Sequence, residues 1–147
     1  MVEPFFLMNC VTEPRVYNRQ YSIKNISGTQ VKLKFYRVSS NELISEVILS
    51  SSQVYNGENL ETDQPPSNYP DSFEPVTSYP SSFIEIIYNS ERKKAYRWND
   101  NGVLFSEPIN RNPFRHGNYE NIGGDHFQYT ITQEDYNNAE DCNGNCD

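Results

Sequence analysis

The clearest pattern in the chain is a strict alternation of apolar and polar side chains from Gln30 to Val38. A period of two is typical of a strand that buries one side and exposes the other. The pattern therefore predicts a strand with a core side and a solvent side. The apolar side carries Val31, Leu33 and Phe35, and the polar side carries Lys32, Lys34 and Tyr36.

Six further segments are interpreted as strands because they are rich in β-branched and aromatic residues and are bounded by turn residues. The first three strands follow one another closely enough to form a meander. Thr132-Gln-Glu-Asp135 resembles a capping box and predicts a helix of one or two turns that ends near Ala139. The predicted strands span residues 21–26, 30–38, 43–49, 83–88, 93–98, 103–105 and 126–132.

Residues 50–82 have a different composition, with repeated prolines, many serines and no Lys or Arg. Proline lacks the amide hydrogen that a strand ladder needs, so a central strand is not expected in this segment. We therefore predict a long loop that crosses between two sheets.

The composition supports one all-β domain. Only Ala95 and Ala139 are alanine, whereas residues that favour strands are abundant. A length of 147 residues fits a single domain, and about seven strands with one short C-terminal helix pack naturally as a β-sandwich-like domain. No stretch of the sequence reaches the roughly 20 apolar residues of a transmembrane helix.

Charge is negative overall but unevenly distributed. Lys and Arg number 12 and Asp and Glu number 20, which gives a net charge of −8. This balance argues against nucleic-acid binding through phosphate neutralisation. Basic residues concentrate in two segments, Arg15–Arg37 and Arg92–Arg97, and neither segment contains an acid.

The three cysteines divide into a C-terminal pair and a single residue near the start. Cys142 and Cys146 flank an Asn-Gly turn, which favours a disulfide between them. Free thiols are the alternative, and a metal site would need further ligands from Cys10, His116 and His126, none of which has a paired spacing. A disulfide predicts an oxidising compartment and hence export.

The first ten residues contain a short apolar run, Phe5–Met8, that ends just before Cys10. One interpretation is an ordinary N-terminal strand, and the other is the end of an export signal. On the second interpretation, residues 1–9 are the remnant of a lipoprotein signal, residues 10–20 are a tether, and residues 21–147 are the β-sandwich domain with its Pro-rich loop at 50–82.

The chain resembles the small uncharacterised lipoproteins of Bacteroidota, especially of flavobacteria, from Tyr17 onward. The resemblance implies that Cys10 is acylated, that the protein is lipid-anchored at the bacterial outer membrane or cell surface, and that its partners are the membrane and envelope proteins or glycan. The segments that carry it are Phe6–Cys10, Ile23–Gly28, Ser82–Asn89 and Tyr129–Ala139 running into Cys142.

A basic and aromatic patch provides a second hypothesis, that of a secreted module that binds glycan or another polyanion. The alternative is a purely structural role, in which Tyr96 and Trp98 pack in the core while the lysines keep the sheet soluble. The candidate ligand face comprises Lys32, Lys34 and Tyr36 on one strand and Lys94, Tyr96 and Trp98 on another.

Catalytic motifs are weak in this sequence. It lacks a nucleophile elbow, a phosphate-binding loop and paired zinc histidines. Asp125 with His126, and His116 with Glu120, are two candidate acid–base pairs that are more typical of surface residues. We therefore expect a non-catalytic protein with no cofactor and no metal, and no nucleic-acid partner.

Overall fold

A computed structural model describes residues 15–37, 40–63, 65, 83–97 and 110–146. Within these residues nine strands form two sheets, joined by one short helix and a 3-10 turn at His116–Asn118. The helix α1 spans Gln133–Asn138. The strands are β1 (Tyr17–Asn25), β2 (Val31–Arg37), β3 (Glu42–Leu49), β4 (Val54–Thr62), β5 (Phe83–Tyr88), β6 (Arg92–Arg97), β7 (Glu120–Gly123), β8 (His126–Ile131) and β9 (Glu140–Asp141).

The two sheets confirm the prediction of an all-β, sandwich-like domain with one short C-terminal helix. The four-stranded sheet has the order β4-β1-β8-β7, and the five-stranded sheet has the order β3-β2-β5-β6-β9. Strands β1 and β8 are parallel, while the other pairs are antiparallel. The core contains side chains from both sheets, so each sheet buries one side and exposes the other.

Alternation on β2 places its apolar side in the core, as predicted. Val31, Leu33 and Phe35 are fully buried. Burying each such side chain contributes about 1.5–3 kcal/mol relative to leaving it exposed, which fixes the register of the strand. The predicted hairpins β2–β3 and β5–β6 are present, with antiparallel pairing around their turns.

The prediction of a three-stranded meander is wrong, because β1 belongs to the other sheet and pairs with β4 and β8. Asn25 directs the chain out of β1 at this point. Its buried side-chain amide donates to the carbonyls of Thr29 and Leu49, and its Oδ1 accepts from the backbone N–H of Ser27. These bonds shape a turn that takes the chain across to β2 in the opposite sheet.

Strand β4 corrects the loop prediction, because residues 54–62 of the predicted loop form an edge strand paired with β1. The prolines begin only at Pro65, so nothing in 54–62 prevents strand hydrogen bonding. Residues 17–20 of the predicted tether belong to β1. Residues 64 and 66–82 of the predicted loop lie outside the described residues, as do the predicted strand at 103–105 and residues 1–14 with the predicted signal.

The capping box at the start of α1 is confirmed. The Thr132 side chain accepts from the Asp135 backbone N–H at 3.2 Å, and the Asp135 carboxylate accepts from the Thr132 backbone N–H at 2.8 Å. The next residue of the helix, Tyr136, packs its ring edge-on against the core ring of Tyr88. The helix thereby covers one border of the core beside β6.

Candidate functional site

The two halves of the predicted ligand face lie on opposite sides of the five-stranded sheet. On β6, Tyr96 pairs with the core residue Ile84 and Lys94 pairs with Ile86, so both side chains lie on the core side. Tyr96 is only 4% exposed, which agrees with its alternative interpretation as core. Trp98 lies outside the described residues. The outward half, on β2, comprises Lys32, Lys34 and Tyr36.

The outward side of the five-stranded sheet, called the outer face below, is ordered into three rows by strand register. Two cations of β6, Lys93 and Arg97, take the place that the sequence assigned to Lys94 and Tyr96. From β3 toward β9 the rows are Leu43, Tyr36, Phe83 and Arg97; Glu46, Lys34, Glu85 and Ala95; and Ile48, Lys32, Ile87, Lys93 and Glu140.

The first row combines aromatic rings with a guanidinium. The ring centroids of Tyr36 and Phe83 are 5.5 Å apart, and the guanidinium carbon of Arg97 lies 5.1 Å from the Phe83 centroid. A guanidinium at this distance is attracted by the ring quadrupole, which holds it in place. Burial and the negative charge of Glu85 raise the pKa of Tyr36, so its hydroxyl remains a hydrogen-bond donor at neutral pH.

A shallow cavity of about 260 Å³ opens at the β6 end of the outer face. Ala95 contributes only a methyl group, and it leaves a gap between Lys93 and Arg97, which point to the same side of the strand. At roughly 3.3 Å per residue, the Cα atoms of these two cations are about 13 Å apart. Phe83 and Glu140 also line this cavity.

The acids of the outer face are distributed over three strands, with Glu46 on β3, Glu85 on β5 and Glu140 on β9. Lys34 stands directly between Glu46 and Glu85 in its row, and Lys32 is 3.6 Å from Glu46. Toward β6, the only described acid facing an outward cation across the register is Glu140, opposite Lys93. The outward cations of β6 at the cavity are therefore flanked by two acids, Glu85 opposite Ala95 and Glu140 opposite Lys93.

A second cavity, of about 160 Å³, lies between α1, β6 and the segment that precedes the 3-10 turn. Its wall is an ion pair in which Arg111 donates through Nε and Nη2 to the two oxygens of Asp135, at 2.8 and 2.6 Å. The guanidinium also donates to the carbonyl of Thr130 and lies 4.3 Å over the Tyr129 ring. Because these groups satisfy one another's hydrogen-bonding capacity, we interpret this cavity as part of the structural framework and not as a ligand site.

The surroundings of this ion pair shift the pKa values of Arg111 and of three tyrosines. Burial is the largest single influence on Arg111 and lowers its pKa, but the hydrogen bonds to Asp135 and the charges of Asp135, Tyr129 and Tyr96 together outweigh burial and raise it. Burial raises the pKa of Tyr88, Tyr96 and Tyr129, and the negative charge of Asp135 adds to the effect. Arg111 and these three tyrosines therefore do not change charge near neutral pH.

The two histidines contact hydroxyl groups. His126 Nε2 lies 2.8 Å from Ser22 Oγ, and His116 Nδ1 lies 3.0 Å from the Tyr21 hydroxyl. A serine beside a histidine is a candidate nucleophile. Ser22 is fully buried, however, and Gln128 also donates to its hydroxyl, so this pair is closed to a substrate.

The Sγ atoms of Cys142 and Cys146 are at disulfide distance, and their Cα atoms are 5.0 Å apart. The ring that they close packs against Ile87 on the outer face. The predicted lipidation residue, Cys10, lies outside the described residues. In the described part of the chain, no cluster of three or more His, Cys, Asp or Glu side chains could hold a metal, and no helix has the length and apolarity to cross a membrane.

Comparison with protein-family models and with curated proteins finds no match to this chain. The site must therefore be argued from its own residues. Sequence reasoning missed Phe83, Lys93 and Arg97 because it put the aromatic side of β6 outward. The signal that could have found them is Tyr96, an aromatic residue in a short strand beside the aliphatic strand β5.

Proposed function

We propose that the protein is an exported, non-catalytic interaction protein of a bacterial cell envelope that binds glycan or another polyanion through its outer face. The observation that carries the binding role is the register of β5 and β6. It gathers Phe83, Lys93 and Arg97 around one cavity of the outer face. Aromatic surface with a few convergent polar groups is the usual composition of a ligand site.

Membrane attachment through acylated Cys10 is the second part of the proposal. Its support is the resemblance of Phe6–Cys10 to the end of a lipoprotein signal, together with a cysteine pair at disulfide distance, which is typical of exported proteins. One acyl chain binds a membrane only marginally, so stable attachment requires the multiple chains expected for such lipoproteins. We place the anchored protein at the outer membrane or cell surface.

The binding role is tested by screening the purified protein on a glycan array. Arg97→Ala should weaken the signal for the bound glycan about tenfold, which corresponds to about 1.4 kcal/mol, because it removes the guanidinium held on Phe83. Lys24→Ala is the matched control, since Lys24 is a cation on the outward side of the other sheet. Equal signals for wild-type protein and Arg97→Ala would contradict the proposed face.

The anchor is tested by native expression with a labelled fatty acid. We expect label on the wild-type protein in the membrane fraction, and neither label nor membrane association for Cys10→Ser. An exported sample that retains Met1 and an unmodified Cys10 thiol by intact mass would refute the lipoprotein assignment. The binding role would then remain as that of a secreted module.

A further inference from the structure

We infer that the cavity on the outer face binds one uronic-acid unit of an acidic polysaccharide, with its carboxylate on Arg97 and its ring against Phe83 and Ala95. This inference rests on the proposed function and specifies the ligand of the same face. The size of the cavity, its cations and its apolar lining each favour this unit.

The size of the cavity limits the ligand to a small unit. At about 260 Å³, it falls below the range of about 300–1,000 Å³ that encloses drug-sized ligands. The site opens on the flat outward side of a sheet, so the neighbouring units of a longer chain can continue over the surface. A polymer with one unit seated in the cavity therefore fits better than an enclosed small molecule.

The charges favour a carboxylate at one end of the unit. The guanidinium of Arg97 presents a planar fork that matches a carboxylate, and its contact with Phe83 fixes its position before binding. Lys93 supplies a second positive charge across the gap above Ala95. Glu140 stands opposite Lys93 and offers acceptor oxygens for the neutral hydroxyl groups of a sugar.

The apolar lining distinguishes a sugar from a bare polyanion. A phosphate chain would cover the two cations but would leave the Phe83 ring and the Ala95 methyl without an apolar partner. The C–H side of a sugar ring can pack on both. The net charge of −8 also opposes any polyanion that is attracted by charge alone.

The test measures binding of three polymers by titration calorimetry: polygalacturonate, neutral dextran and inorganic polyphosphate. We expect the wild-type protein to bind polygalacturonate about tenfold or more tightly than either of the others, a margin typical of a specific polar contact. Ala95→Leu, which fills the cavity, and Arg97→Ala should each weaken that binding about tenfold. Lys24→Ala should leave it unchanged, and circular dichroism checks that each variant is folded.

Several outcomes would overturn the inference. Polyphosphate binding as tight as polygalacturonate means that charge alone is recognised, and equally tight dextran binding means that a neutral glycan is the ligand. If either binding is lost in Arg97→Ala, the proposed function stands and only the uronate assignment fails. Failure of wild-type protein to bind polygalacturonate also rejects the assignment, and binding that is unaffected by both variants rejects the outer face itself. Should Ala95→Leu misfold, Arg97→Ala alone decides the result.

Discussion

Replacing Asp135 by alanine would test whether one carboxylate joins three parts of the fold. This side chain accepts two hydrogen bonds from Arg111, and it closes the capping box of α1 through Thr132. Arg111 in turn donates to the carbonyl of Thr130 at the end of β8. Asp135→Ala therefore loosens the helix, the segment before the 3-10 turn and the border of the four-stranded sheet together.

These contacts determine the loss in the free energy of unfolding that we expect for Asp135→Ala. Loss of the cap contributes about 1 kcal/mol, and hydrogen bonds to a charged partner contribute about 1.5–3 kcal/mol. The Asp135 side chain is 7% exposed but that of Arg111 is 38% exposed, so water partly replaces the lost partner of the guanidinium. We expect a loss of about 3 kcal/mol in the free energy of unfolding, or a fall in Tm of about 6–12 °C for a domain of this size.

Urea denaturation of four variants isolates the interaction between the two side chains. Asp135→Ala, Arg111→Ala and the double variant form a double-mutant cycle, in which we expect a coupling energy of about 1 kcal/mol or more. Glu134→Ala is the matched control, because Glu134 is the exposed neighbouring acid in the first turn of the same helix. A loss below about 1 kcal/mol for Asp135→Ala, which is the size of a capping effect alone, would refute the argument that the ion pair stabilises the fold.

Three further outcomes follow from the buried groups. Asn25→Ala should lower the free energy of unfolding by about 2–3 kcal/mol, because it leaves the buried carbonyl of Leu49 with one donor fewer. Urea denaturation measures this loss. A change below about 0.5 kcal/mol, the range of a surface substitution, would contradict the prediction. Replacing Cys142 and Cys146 together by serine should lower the free energy of unfolding by about 2 kcal/mol by the loop-entropy relation, measured as a lower Tm. Reactive thiols at both of these positions in the unfolded wild-type protein would show that the disulfide is absent. Burial is the first cause that raises the pKa values of five tyrosines, Tyr36, Tyr88, Tyr96, Tyr119 and Tyr129. Their contribution to stability should therefore be constant below about pH 10, the pKa of an unfolded tyrosine, and should fall as the pH rises further. Tyrosinate absorbance that appears at an ordinary pKa before unfolding would argue against this.

Local patterns predicted six of the nine described strands and missed β4, β7 and β9, and the pairing between distant strands was not accessible from them. The alternation on β2 identified its core side correctly, and the capping residues located α1. The assignment of β1 to a meander failed because the path of the chain after β1 depends on the buried contacts of Asn25 with Thr29 and Leu49. The contact with Leu49 joins residues that are 24 apart in the chain, and a period of two does not encode it.

The sequence did not reveal which side of β6 faces outward, for a related reason. In β6, cations occupy both sides of the strand, so charge alone does not reveal which side faces out. Only the pairing of Tyr96 with the buried Ile84 settles it, and that pairing places Lys93 and Arg97 outward. The register therefore puts Lys32, Lys34 and Tyr36 of the predicted face on the outward side, and Lys94 and Tyr96 on the core side.

The C-terminal segment connects the proposed binding role to the proposed location. Strand β9 pairs with β6 and brings Glu140 opposite Lys93, while the backbone N–H of Cys142 donates to the carbonyl of Glu91 at 2.9 Å. The ring closed by the cysteine pair then packs on Ile87, next to Lys93 in the same row of the outer face. Because Glu140 lies only two residues before this ring, an oxidising compartment, where a disulfide persists, would keep the acid in the cavity lining. In a reducing compartment the segment would lose this restraint, so export would preserve the complete site that the binding role requires.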